Sequence, residues 1–169
     1  MLVIFGGLPG SGKTTVAQAL AKRLKGVYVR VDTIEQALRN SDVLKADEGP
    51  AGYVIAYGVA EDNLKLGQTV VADSVNSIRI TRDAWLSVAK RAGTRAVEVE
   101  VVCSDRIEHR RRAETRATDV EGLVKPTWDE IVNRTYEDWG TRPIVVDTAH
   151  RAVDDLVAEL AIRLERAQS

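Results

Sequence analysis

The chain has 169 residues, 44% hydrophobic and 29% charged, with 24 basic side chains against 25 acidic ones and a net charge of −1. A chain of this length buries a sizeable core without cross-links, so a single domain spanning residues 1–169 is expected. The near-zero charge provides no global basic field for a polyanion, and the lone Cys103 excludes an internal disulfide. Met1 runs straight into an apolar strand and no apolar run approaches a membrane span, so no signal peptide, no membrane partner and a cytoplasmic location are expected.

In chain order, the apolar run Leu2–Phe5 reads as a buried strand. It feeds Gly7-Leu8-Pro9-Gly10-Ser11-Gly12-Lys13-Thr14, which fits the pattern G-x-x-x-x-G-K-[ST]. Thr14–Lys25 reads as the helix leaving that loop, with Val16, Ala17, Leu20, Ala21 and Leu24 on one face. A strand from Val27 to Val31 ends at Asp32, and Thr33–Arg39 reads as a short helix opened by a capping-box spacing from Asp32 to Glu35. A loop is expected from Asn40 to Pro50, then a helix over Ala51–Leu66. Thr69–Ala72 is a third strand ending at Asp73, followed by a helix over Ile78–Arg91 with Trp85 and Val88 inward. Arg95–Cys103 alternates as a fourth strand. A strongly charged helix runs from Ser104 to about Arg116, a polar loop from Thr118 to Lys125, and a further helix from Pro126 to Trp139. Ile144–Val146 is a fifth strand ending at Asp147, and a last helix carries Val153, Leu156, Val157, Leu160 and Leu164 on one face.

Strands alternating with helices predict a mostly parallel, five-stranded sheet covered on both faces, with ligands beyond the carboxyl ends of the strands. The glycine loop carries the sharpest chemistry. Glycines let successive backbone N–H groups turn inward onto phosphate oxygens, and the helix N-terminus adds positive potential. Such a loop implies a nucleoside triphosphate: Lys13 on the β- and γ-phosphates, and the Thr14 hydroxyl on Mg2+. Asp73, closing its apolar strand, suits the metal side, with helix capping as the plain alternative. Asp32 is placed to accept or align the proton of an acceptor hydroxyl, a role compatible with capping. Residues 106–116 hold five arginines, more than the local acids neutralise. A solvated, ion-paired helix is one reading; the other is a lid over phosphates, at about residues 105–126, with Arg112 and Arg116 first in line.

Tyr53, Tyr57, Trp128 and Trp139 either line an acceptor pocket or pack in the core, the latter for Trp139. Arg30, Arg79 and Arg82 are open candidates for an anionic acceptor. His109 and His150 lack metal-ligand spacing and read as surface groups; Cys103 reads as packed at a strand end. The absence of an Asn-Lys-x-Asp signature favours ATP over GTP.

Taken together, Gly7–Thr15, Asp32, Val70–Asn76 and the arginine-rich segment resemble the P-loop kinase group of small phosphotransferases, AAA-type ATP-binding domains with the three-layer α/β/α P-loop NTPase fold. In particular they resemble the kinase domain of polynucleotide 5′-hydroxyl kinases, with similar layouts in chloramphenicol phosphotransferase, gluconate kinase and adenylylsulfate kinase. The resemblance implies ATP and Mg2+ as cofactors, held by Gly7, Leu8, Pro9, Gly10, Ser11, Gly12, Lys13, Thr14 and Thr15. It further implies that Asp32 activates the acceptor hydroxyl, that Asp73 positions acceptor or metal, and that a lid arginine stabilises the transferred phosphoryl. Asp147-Thr148-Ala149 resembles the segment bordering adenine, which places Thr148 at the nucleotide. Polynucleotide kinases carry an arginine shortly after the Asp32 position. Here Thr33, Ile34 and Glu35 follow, which with the net charge argues against an oligonucleotide acceptor. The expectation is therefore an ATP- and Mg2+-dependent phosphotransferase acting on a hydroxyl of an unidentified small molecule. The alternatives are a polynucleotide 5′-hydroxyl kinase and an ATP-binding regulatory module without an acceptor.

Overall fold

The structure, a computed structural model, describes residues 1–41, 49–115, 117, 120, 122, 124–140 and 143–166. Among the described residues, five strands form one sheet: β1 (Leu2–Gly6), β2 (Val27–Arg30), β3 (Val70–Asp73), β4 (Ala96–Val102) and β5 (Ile144–Asp147). Their spatial order is β2-β3-β1-β4-β5, and every pairing is parallel. The helices are α1 (Lys13–Leu24), α2 (Val31–Asn40), α3 (Ala51–Lys65), α4 (Arg79–Arg91), α5 (Arg106–Thr115), α6 (Trp128–Val132) and α7 (Val153–Arg166).

Central β1 is buried along its whole length, as a strand covered on both faces must be. Its side chains alternate between two cores. Val3 and Phe5 join Val16, Leu20, Leu156 and Leu160 beneath α1 and α7. Leu2 and Ile4 join Ala56, Ala60, Trp85 and Val88 beneath α3 and α4. Complete burial of each large apolar side chain contributes about 1.5–3 kcal/mol, and these two layers anchor the sheet from which the loops project.

Two local expectations are corrected. Strand β2 stops at Arg30 and α2 begins at Val31, so Asp32 lies in the first helical turn. The helix cap is Arg30, with no side-chain cap bond, and the Asp32–Glu35 capping box does not form. A capping box does form between Thr127 and Glu130, opening α6. The helix expected from Pro126 to Trp139 instead ends at Val132. Tertiary contacts take over beyond it: the Tyr136 hydroxyl donates to Glu100 Oε1 at 3.0 Å, and the Trp139 ring is buried beside Gly6. A continued helix would carry both rings away from these partners.

Candidate active site

The loop between β1 and α1 is shaped by backbone that only glycine adopts readily. Gly7 has φ +147°, and a Cβ there would sit 2.3 Å from the Val101 carbonyl oxygen. Gly10, at φ +86°, lies against α5: a Cβ would meet that of Ala113 at 2.9 Å. The arginine-rich helix therefore docks directly on the loop. Gly12 caps α1 without any side-chain bond, and the first turn carries no acid. The buried Ser11 hydroxyl has no hydrogen-bond partner among the described residues. Open N–H donors at a helix N-terminus beside an orphaned hydroxyl form a ready anion cradle.

Lys13 and Asp73 meet behind this cradle in a buried ion pair. The register explains it. Asp73 stands opposite Phe5 on one side and Arg30 on the other, so its carboxylate emerges on the α1 face of the sheet. Lys13 Nζ is 3.4 Å from Thr14 Oγ1, and the Tyr28 hydroxyl donates to Asp73 Oδ2 at 2.5 Å. Burial pushes the Asp73 carboxyl up, but the Lys13 ammonium, together with hydrogen bonds from Lys13, Tyr28 and Thr14, holds it below the usual aspartate value. Asp73 is thus an anion held next to the Thr14 hydroxyl.

A cleft of about 270 Å³ opens in front of the loop. Lys13, Thr14, Thr15 and Asp32 line one part, while Arg112, Thr148, Arg151, Val153 and Leu156 line another. Leu8, Pro9, Gly10 and Gly12 complete the loop side, with Val75. The Asp32 side chain remains partly open to solvent, with Oδ2 3.8 Å from Arg30 Nη2.

Arg112 is held by Thr148 and Glu108, with Cys103 Sγ at 3.9 Å. One nitrogen donates to Thr148 Oγ1 at 2.8 Å; the other donates to the Thr148 carbonyl at 3.1 Å and to Glu108 Oε1 at 2.5 Å. Thr148 Oγ1 in turn donates to the Ser11 carbonyl at 2.7 Å. The end of β5, the phosphate-type loop and α5 are clasped through one hydroxyl. Arg116 lies outside the described residues, as does part of the expected lid.

Other candidates separate cleanly. Arg82 is buried, donates to the carbonyls of Asn76, Glu137 and Asp138, and stacks 4.7 Å from the Trp139 centroid, so it braces the 133–140 segment. Arg79 is exposed and faces Asp83 at 3.8 Å, whereas Arg30 is buried. Tyr57 packs edge-on against Trp85 at 4.6 Å, and Trp128 is buried against α5. Tyr53 is half-buried and its phenol is pushed up by burial. His109, expected at the surface, is buried: its Nε2 is 2.9 Å from the Pro9 carbonyl and its ring meets Trp128 edge-on. His150 is exposed as expected, but folding brings it to Asp105 Oδ2 at 2.8 Å and close to Glu108, a grouping invisible in linear spacing. Cys103 packs at the end of β4, its thiol raised by burial.

Several lining residues carry no distinguishing signal in the sequence. Val153 and Leu156 carry the same periodicity as the core face of α7, so nothing in the pattern separates cleft from core. Arg151 follows the Asp147-Thr148-Ala149 segment, which was the available pointer.

An all-parallel sheet in this strand order, with a glycine loop between β1 and α1 and an acid closing β3, defines a P-loop NTPase fold. The sequence matches the AAA domain family over residues 2–135, and the chain belongs to that family. No curated protein matches the sequence. Solved structures share the fold over nearly the whole chain. The APS kinase of Mycobacterium tuberculosis, in complex with AMPPNP and APS, is similar with TM-score 0.70 and 20% identity, covering 97% of this chain and 96% of that one. Kti12 of Chaetomium thermophilum, in complex with ADP-AlF3, gives TM-score 0.68 and 22% identity over 96% and 98% of the two chains. A gluconokinase from Sinorhizobium meliloti 1021 gives TM-score 0.61 and 19% identity over 99% and 97%. The fold is thus shared at about one-fifth sequence identity. Among the described residues, no helix is long and apolar enough to cross a membrane.

Proposed function

We propose that the protein is an ATP- and Mg2+-dependent phosphotransferase that moves the γ-phosphate to a hydroxyl of a small-molecule acceptor. The carrying observation is the single cleft that holds both the Lys13–Thr14 loop end and the Asp32 carboxylate. A donor cradle and a proton acceptor on one cavity are the two halves a kinase needs. The neighbours in complex with AMPPNP and ADP-AlF3 support a nucleotide in the same fold.

Each residue has a defined task in this reading. Loop N–H groups and the Ser11 hydroxyl bind phosphate oxygens, and Lys13 turns from Asp73 onto the β- and γ-phosphates. Val153 and Leu156 offer an apolar surface for adenine beside Arg112 and Thr148, while Arg112 and Arg116 supply positive charge near the phosphates. Thr14 and Asp73 present a hydroxyl and a carboxylate, the hard oxygen donors that suit Mg2+. The ion, when bound, neutralises phosphate charge. Asp32 orients the acceptor hydroxyl and takes its proton as the oxygen attacks.

The test is an acceptor screen with γ-labelled ATP across nucleosides, sugars, hydroxylated antibiotics and 5′-hydroxyl oligonucleotides. Transfer to a small molecule that disappears in Lys13→Ala and Asp32→Asn supports the reading. Transfer that survives in both variants overturns the mechanism. Labelling of oligonucleotides with steep salt dependence would make the acceptor a polynucleotide. Tight ATP binding with slow hydrolysis and no acceptor at all would make the protein a regulatory module.

A further inference from the structure

The geometry points to Tyr28 as a positioning residue that keeps the Asp73 carboxylate correctly turned when Lys13 leaves it for the nucleotide. The inference rests on the proposed role of Lys13, Thr14 and Asp73 at the phosphates. In the sequence, Tyr28 is one residue of the strand read from Val27 to Val31.

Tyr28 pairs with Val71 in the β2–β3 register, two residues before the Arg30–Asp73 pair, so its side chain shares the face from which Asp73 projects. This diagonal brings a tyrosine within reach of a carboxylate on the neighbouring strand. The two Asp73 oxygens face different partners: Oδ1 faces Lys13 Nζ, while Oδ2 accepts from the Tyr28 hydroxyl at 2.5 Å, and the Thr14 hydroxyl also bonds the carboxylate. The ring packs partly buried against the core layer beneath α1 and α7.

The partners differ in what binding does to them. Lys13 is a flexible chain whose ammonium must reach the phosphates, and its departure strips Oδ1 of its ion-pair partner. Asp73 is fully buried, and a buried carboxylate without partners is strongly disfavoured. Tyr28 sits on a strand and stays in place. Its hydroxyl satisfies Oδ2 in both states and fixes the carboxylate plane, leaving Oδ1 on the Thr14 side, where the two oxygen donors would hold a cation. An outer hydrogen bond that orients a liganding carboxylate typically changes metal affinity by about 10- to 100-fold when removed.

The experiment is calorimetric binding of ADP to wild type and Tyr28→Phe, each with excess Mg2+ and with EDTA. Tyr28→Phe keeps the ring and deletes only the hydroxyl. The expected result is a loss of about ten-fold in the Mg2+-dependent tightening, with metal-free affinity within about two-fold of wild type. In an Asp73→Asn background, adding Tyr28→Phe should change nothing further, because the carboxylate it serves is gone. Unchanged Mg2+-dependent tightening in Tyr28→Phe overturns the assignment, as does an equal loss with and without Mg2+, or an unfolded variant, since each makes the hydroxyl purely structural. Failure of wild type itself to bind ADP more tightly with Mg2+ would instead remove the underlying reading of the site, and the assignment with it.

Discussion

Arg112 grips Thr148 at both ends of one residue, its guanidinium donating to the hydroxyl at 2.8 Å and to the carbonyl at 3.1 Å. Thr148 passes the contact on to the Ser11 carbonyl, so the arginine expected to reach over the phosphates is also a strut of the phosphate loop. One side chain therefore couples α5 to the cradle. Thr148→Val should leave the buried Ser11 carbonyl and a half-buried Arg112 nitrogen without this partner, destabilising the fold by about 1–3 kcal/mol in urea denaturation. Nucleotide affinity should fall in the same variant, because the loop loses its brace. A stable variant with unchanged affinity would deny the coupling.

Lys13→Ala breaks a buried ion pair by removing one partner. The expected loss is about 3 kcal/mol, near the lower end for such pairs because Tyr28 still satisfies Asp73 Oδ2. Adding Asp73→Asn should recover most of it, since the uncompensated charge disappears. Thermal or urea denaturation of the two singles and the double gives the coupling directly. Additive losses would show that the two side chains are independent.

The pair also sets an acid limit. Burial raises the Asp73 carboxyl, but the Lys13 ammonium and three hydrogen bonds more than reverse this, so its folded value is depressed. A depressed carboxylate stabilises the fold above its unfolded value, about 3.9, and that contribution is lost as pH falls through the folded value. Wild type should therefore lose stability below about pH 4 more steeply than Asp73→Asn, with the two curves converging in acid. Parallel curves would mean that Asp73 is not held as an ion.

Asp32→Asn should reduce acceptor phosphorylation by about 10²- to 10⁴-fold, the usual range for a positioned general base. ATP affinity should stay within about two-fold, because Asp32 faces the cleft without touching the loop's hydrogen bonds. A matching loss in ATP binding would assign Asp32 to the donor side instead.

Much of the architecture was legible from local pattern. The apolar run of β1, the alternation of β4 and the stripe of α7 each declare their element, because burial on one or two faces imposes a period on the residues themselves. The phosphate-type loop was equally plain, since its glycines answer a backbone requirement that no other residue meets easily. The failures have separate causes. The capping-box spacing at Asp32–Glu35 forms no box, because helix α2 starts directly from β2 and leaves no capping position at Asp32, whereas Thr127–Glu130 forms one. The helix through Trp139 ended early because Tyr136 and Trp139 found partners on β4 and β1.

What the sequence determined by itself was the succession of strands and helices and the cradle at Gly7–Thr14, since both follow from interactions among residues near in the chain. Only the tertiary structure decided which distant groups share a field: Tyr28 and Lys13 on Asp73, Arg112 on Thr148, His109 on Pro9, and α7 side chains in the cleft. Those pairings depend on strand order and register, which bring together residues separated by as many as 137 positions, as at Ser11 and Thr148. Side-chain identity alone carries no trace of such neighbours, because a carboxylate is read the same way whether it faces water or a buried lysine.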